Sequence, residues 1–216
     1  MLFSPGLYLP MGKRPAVAGG GTTTLDPANL GTNASLDAAH LKLSQTADGY
    51  ACCRSLASHS TGKFYFETLA TANGDASGIE AGFCNSSESM NAQLGVDLNG
   101  GGYDSFGHMI INGASTSMGA VPFGSPFLTL GLAIDIGARR LWATVNGTQY
   151  TDSAGGLTGD PAAGTNGFDI SSVTGTLFAA VQCRFVNAGA NDLHTITANF
   201  GGSAYVYSPP SGFGNW

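Results

Sequence analysis

Charge is scarce in this sequence: only 10% of its 216 residues are Asp, Glu, Lys or Arg, with just three lysines and three glutamates. Those two residues favour helix interiors, whereas Gly, Ser, Thr and Asp, which favour turns and strands, are abundant. An all-helical protein is excluded. Eight cations stand against fourteen acids, a formal charge of −6, and only Lys13-Arg14 and Arg139-Arg140 are adjacent. This balance argues against a nucleic-acid partner, since such binders neutralise phosphates with clustered Lys and Arg. A long apolar run is missing as well. Residues 105 to 134 carry no charge, but Gly, Pro, Asn and Ser interrupt them, so no membrane insertion is expected. Pro5, Gly6 and Pro10 break the apolar N-terminus and the first cations follow it, so no secretory signal is expected.

Clustered metal ligands and catalytic spacings are also lacking. Cys52 and Cys53 are adjacent, Cys84 and Cys183 are remote, and no Cys-x-x-Cys pair exists. His40, His59, His108 and His194 are scattered without a His-Glu-x-x-His spacing and read as isolated surface or turn residues. No metal and no cofactor are expected. Alternation sets Cys183 beside Leu177, Ala179, Val181 and Phe185 as a small buried hydrophobe, and it turns one of Cys52 and Cys53 inward and the other outward. Glu67 and Glu80 are the two carboxylates that a glycosidase reading would use, yet they sit on separate strands without a glycosidase spacing. Gly100-Gly101-Gly102 lacks the Lys and Ser/Thr of a phosphate loop and reads as a flexible connection. The chain is expected not to be an enzyme.

What is present is a two-residue period. Hydrophobic residues make up 43% of the chain, enough for a sizeable core. Leu41 and Leu43 open a series of short alternating segments, and 63–70 sets Phe64, Phe66 and Thr68 on one face with Tyr65, Glu67 and Leu69 on the other. In 78–84, Ile79, Ala81 and Phe83 point inward and Glu80 outward. Residues 127–136 alternate most cleanly and pair with 140–146 as a hairpin, while 176–186 and 193–200 supply two more strands. Asn-Gly at 73–74, 99–100, 112–113, 146–147 and 166–167 suits tight reversals. The first 36 residues differ. Three prolines before residue 16, a Gly-Gly-Gly run and no period mark them as an extended N-terminal arm (1–36) ahead of a sandwich (37–216). Phe3, Leu7, Tyr8, Leu9 and Met11 are too apolar for a solvated tail and are expected to dock on a partner or on the same chain.

Thr61-Gly62-Lys63-Phe64-Tyr65-Phe66-Glu67, Gly82-Phe83, Leu94-Gly95 with Gly102-Tyr103, and Leu130 to Asp135 followed by Leu141-Trp142 and Val145-Asn146-Gly147 stand in a telling order. With Gly159 to Thr165, Ala198-Asn199-Phe200-Gly201 and Pro209 to Phe213, they resemble the SPRY domain family, in the version found in phage and prophage proteins. The resemblance spans roughly residues 40–216. It implies an all-β fold, a bent antiparallel two-sheet β-sandwich of jelly-roll type, that recognises partners through loops at one end.

Residues 103–108 place Tyr103, Asp104, Phe106 and His108 directly after the glycine run, and Tyr103, Asp104 and His108 are taken as partner-binding candidates, with Phe106 capping the core. Residues 113–125 carry no charge and 151–168 only Asp152 and Asp160, which suits flat packing against protein. The expectation is a non-enzymatic bacteriophage virion protein, capsid- or tail-associated, in homo- or hetero-oligomeric contact with other virion proteins. The alternative is a module binding a receptor or carbohydrate, with a host surface glycan or protein as ligand. The expected location is the virion, or the bacterial cytoplasm if the source is a prophage.

Overall fold

Alternation decides the centre of the molecule. The computed structural model describes residues 23–71, 78–118, 129–185 and 194–216. In β10 (Thr129–Asp135), Leu130, Leu132 and Ile134 face the core and are fully buried. β11 (Arg140–Thr144) folds back on it from Asp135↔Arg140 to Gly131↔Thr144, which is the expected hairpin. β5 (Lys63–Thr71) flanks β10 on the other side and extends the sheet to β14 (Thr195–Asn199), β3 (Lys42–Gln45) and β2 (Ala34–Leu36), with β12 (Phe168–Asp169) at the opposite edge. A last strand, β15 (Gly214–Asn215), runs parallel to β5 and is the one parallel pairing among the described residues.

The other sheet contains seven strands: β1 (Leu25–Leu30), β4 (Gly49–His59), β13 (Leu177–Phe185), β6 (Glu80–Cys84), β7 (Gly100–Asp104), β8 (His108–Ile111) and β9 (Ala114–Ser117), in that spatial order. Its inner face contributes Ala51, Cys53, Ile79, Ala81, Phe83, Tyr103 and Val181 to one core shared with Phe66, Leu130, Leu132, Ile134 and Ile196. Each large side chain so buried contributes about 1.5–3 kcal/mol. Trp216 closes this core, its Nε1–H donating to Ser55 Oγ at 3.1 Å. Among the described residues no helix is long and apolar enough to cross a membrane.

Both outer faces are covered. Tyr205 and Phe213 of the C-terminal segment pack on Tyr65 and Trp142 of the second, eight-stranded sheet and on Tyr150 beside it. Over the seven-stranded sheet, Met90 and Leu94 of residues 85–99 pack on Cys52, Cys84 and Ala180.

Four expectations change. The sandwich begins before residue 37, because residues 25–36 include β1 and β2; Asp26, Pro27 and a bulge make β1 an edge strand with no visible alternation. Gly100–Gly102 is a fully buried strand rather than a flexible connection. Cys52 does face outward and Cys53 inward, yet Cys52 is only 2% exposed under residues 85–99, and all four cysteines are buried free thiols. His194 is wholly buried at the start of β14, not a surface residue. The 73–74 reversal and the apolar residues Phe3, Leu7, Tyr8, Leu9 and Met11 lie outside the described residues.

Candidate functional site: the loop end of the sandwich

Strand direction brings strand ends together. β3 ends where β4 begins, joined through residues 46–48, and Gln45 Nε2 donates to Gly49 O at 3.1 Å. The end of β13 lies against the start of β4 (Phe185↔Gly49), the start of β6 against the end of β7 (Glu80↔Asp104), and the start of β8 against the end of β9 (His108↔Ser117). In the second sheet the end of β5 meets the start of β14 (Thr195↔Thr71) and of β10 (Thr129↔Leu69). The ends of β3, β5, β7, β9 and β13 and the starts of β4, β6, β8, β10 and β14 therefore lie at one end of the sandwich. The β3–β4 connection is pinned by Thr46 N–H to Asn33 O at 2.8 Å and by Asn33 Nδ2 to Asp48 O at 2.8 Å. Arg184 lies over the Tyr50 ring, 5.1 Å from its centroid, where β13 and β4 meet this end.

The β7–β8 turn is the best-defined surface there. Asp104 Oδ1 accepts from the backbone N–H of Phe106 at 3.0 Å and of His108 at 2.8 Å, and its Oδ2 lies 3.2 Å from His108 Nδ1. Gly107 takes φ +86°, a conformation that side chains resist, so the Asp-x-x-Gly run bends in one way. Ser105 N–H donates to Ile79 O at 2.9 Å and Met118 N–H to Gly107 O at 2.9 Å, tying the turn to both neighbours. The result is a rigid tip carrying Phe106, 54% exposed, with the half-buried His108 ring 6.4 Å away between centroids.

The structure reassigns the sequence candidates. Tyr103 is wholly buried in the core, because β7 alternates inward at that position, and it offers no surface to a partner. Asp104 spends its oxygens on the turn and is a positioning residue. His108 reaches the surface as expected. Phe106, expected to cap the core, is the exposed ring. The signal for this was Asp104-x-x-Gly107 itself, a turn pattern that sets residues 105 and 106 at the tip and breaks strand parity.

Glu67 and Glu80 form no pair. Glu67 lies on the outer face of the second sheet and Glu80 on the outer face of the seven-stranded sheet, so the whole core separates them. Among the described residues no group of three or more His, Cys, Asp or Glu is placed to hold a metal ion.

No known family model and no curated protein sequence matches the chain. Its fold, however, is that of known structures. The chain is similar to the SPRY domain of human HERC1, with a TM-score of 0.61 and 12% identity, over 81% of this chain and 96% of that one. It is similar to the TRIM65 PSpry domain, with a TM-score of 0.56 and 14% identity over 82% and 89% of the two chains. It is also similar to stonustoxin, with a TM-score of 0.55 and 14% identity, over 82% of this chain and 27% of that one. The protein has a SPRY-like, all-β two-sheet fold.

Proposed function

We propose that this chain is a non-catalytic protein-recognition module that works as a structural component of a bacteriophage particle. The observation that carries the recognition role is the loop end, where a hydrogen-bonded turn holds Phe106 out to solvent beside His108. An exposed aromatic on a rigid turn loses little conformational freedom on docking, which is what makes such residues binding anchors. The SPRY-like fold supports protein as the ligand class. The particle role is supported by the phage-type order of motifs, by the apolar residues Leu2 to Met11, and by uncharged stretches that suit flat protein contacts.

A photo-reactive phenylalanine analogue at position 106, followed by cross-linking in intact purified particles, tests the reading. The expected product is a covalent adduct between this chain and another virion protein. Absence of the chain from purified particles removes the virion role, and an adduct-free position 106 in particles that do contain the chain removes the loop-end interface.

A further inference from the structure

The cover over the seven-stranded sheet, residues 85–99, rests on acids that are short of donors. Glu80 is 1% exposed and Glu88 7%. Gln93 Nε2 donates to Glu80 Oε1 at 2.7 Å, but Glu80 Oε2 and both carboxyl oxygens of Glu88 are buried without a hydrogen-bond partner. The floor beneath them is glycine. A Cβ at Gly102 would stand 2.8 Å from Glu80 Oε2, and one at Gly100 would stand 2.6 Å from Glu88 Oε2. β7 thus omits side chains where the carboxyls lie, and the Leu94 methyl groups fill the space between, 3.0 Å and 3.2 Å from the same two positions. The cover is also tied to the domain by Leu94 N–H to Gln182 Oε1 at 2.6 Å, Cys52 N–H to Met90 O at 3.3 Å, Cys52 Sγ to Ala92 O at 3.1 Å, Thr32 N–H to Asn91 Oδ1 at 2.8 Å, Asn112 N–H to Asp97 O at 3.2 Å, Gly113 N–H to Gly95 O at 2.9 Å, Asn85 Nδ2 to Thr174 O at 3.3 Å and the Tyr50 hydroxyl to Gln93 Oε1 at 3.4 Å.

A buried carboxyl short of donors favours the neutral acid, since charging it there costs several kcal/mol. The groups facing Glu80 are Gln93 from the cover, Asp104 from β7, Gln182 and Arg184 from β13 and Cys52 from β4; of the charged ones, only Arg184 favours ionisation. Those facing Glu88 are Asp97 from the cover, Cys84 from β6 and Cys52 from β4, with Arg54 on the Cys84 side donating to Asn85 O at 3.4 Å. We propose that residues 85–99 are a proton-held flap: with Glu80 and Glu88 neutral it lies closed, and loss of their protons to solvent loosens it and bares the apolar patch of Cys52, Cys84 and Ala180 beneath it.

The direction with pH follows. Burial pushes Glu80 up to about 8, and burial with the neighbouring Asp97 pushes Glu88 up to about 7. A raised carboxyl pKa means that the closed state holds protons the open state releases, so closure is strongest at low pH. Its margin shrinks as pH rises above the ordinary carboxylate value of 4.5 and is fully lost once pH passes about 8.

Thiols report the opening, because Cys52 and Cys84 lie under the flap while Cys53 and Cys183 lie between the sheets. The full chain is alkylated with iodoacetamide at about pH 6 and about pH 8.5, and the labelled cysteines are located by peptide mass mapping. At the higher pH, Cys52 and Cys84 are expected to label at least about tenfold faster than Cys53 and Cys183. The double variant Glu80→Gln and Glu88→Gln, a permanent mimic of the neutral acids, is expected to slow Cys52 and Cys84 at the same pH by about fivefold or more. Comparing proteins at one pH removes thiolate chemistry from the readout. Equal labelling of all four cysteines, or a double variant that labels like the parent, overturns the flap. Should that variant not fold, hydrogen exchange of the 85–99 amides in the parent decides: protection unchanged between the two pH values, after correction for intrinsic rates, overturns it equally.

Discussion

The two covers of this sandwich do the same job over opposite sheets, and a glutamate lies beneath each, but the glutamates are served in opposite ways. Glu67, 2% exposed, accepts from Val206 N–H and Tyr207 N–H at 2.7 Å each and from the Tyr65 hydroxyl at 3.0 Å. Burial pushes its pKa up, while those three donors pull it down and stabilise the carboxylate. Tyr205 Oη adds a bond to Tyr65 O at 2.9 Å, so the C-terminal cover is fastened by both charge and hydroxyls. Glu80 is buried as deeply with one side-chain donor on Oε1 and none on Oε2, and neither Glu88 oxygen has any. Depth is therefore not what separates a permanent fastening from a conditional one. The supply of backbone N–H groups is: two successive amides make a carboxylate at home under the C-terminal cover, and no amide turns toward Glu88 under the other.

Removing the acceptor from the well-served side has the largest expected effect. Glu67→Ala leaves two part-buried amides and the buried Tyr65 hydroxyl without a partner, and about 2–3 kcal/mol of stability should be lost in a urea titration. A loss below about 1 kcal/mol would show that the aromatic packing of Tyr205 and Phe213 holds the cover unaided. A smaller effect is expected on the starved side. Gly102→Ala puts a methyl group against Glu80 Oε2, and overpacking there should cost about 1–2 kcal/mol while raising amide exchange in residues 85–99 above that of β10. Equal acceleration in both segments would mean that this cover unfolds only with the whole domain, which erases the contrast between the two faces.

The frame of the fold was legible because period and burial coincide in it. Leu130, Leu132 and Ile134 alternate, pair with the 140–144 strand and fill the core, and Phe64, Phe66 and Cys183 follow the same rule. Legibility failed wherever a long-range cover changed the outcome. Glu80 does point outward, but its burial depends on residues 85–99, which show no period and reach it only in three dimensions. The glycine run looked loose because its tightness comes from Phe83 on one side and two carboxyls on the other. β1 was hidden by Pro27 and by having Leu25 as its one fully buried residue. At the loop end, His108 stands half-exposed and Asp104 holds the turn. Tyr103 and Phe106 exchanged places, since β7 turns Tyr103 into the core and the Asp104 turn lifts Phe106 to the tip.

The smallest expected effect makes the sharpest test of how the C-terminal cover is held. Val206 is 68% exposed, yet its backbone N–H donates to Glu67 at 2.7 Å. If the carboxylate grips main chain, the side chain at this position has no part in the fastening, and Val206→Ser should change stability by no more than about 0.5 kcal/mol in the same urea titration. A loss above about 1 kcal/mol would mean that the valine side chain shields the Glu67 hydrogen bonds from water, and that the cover works through packing at its rim rather than through the amides beneath it.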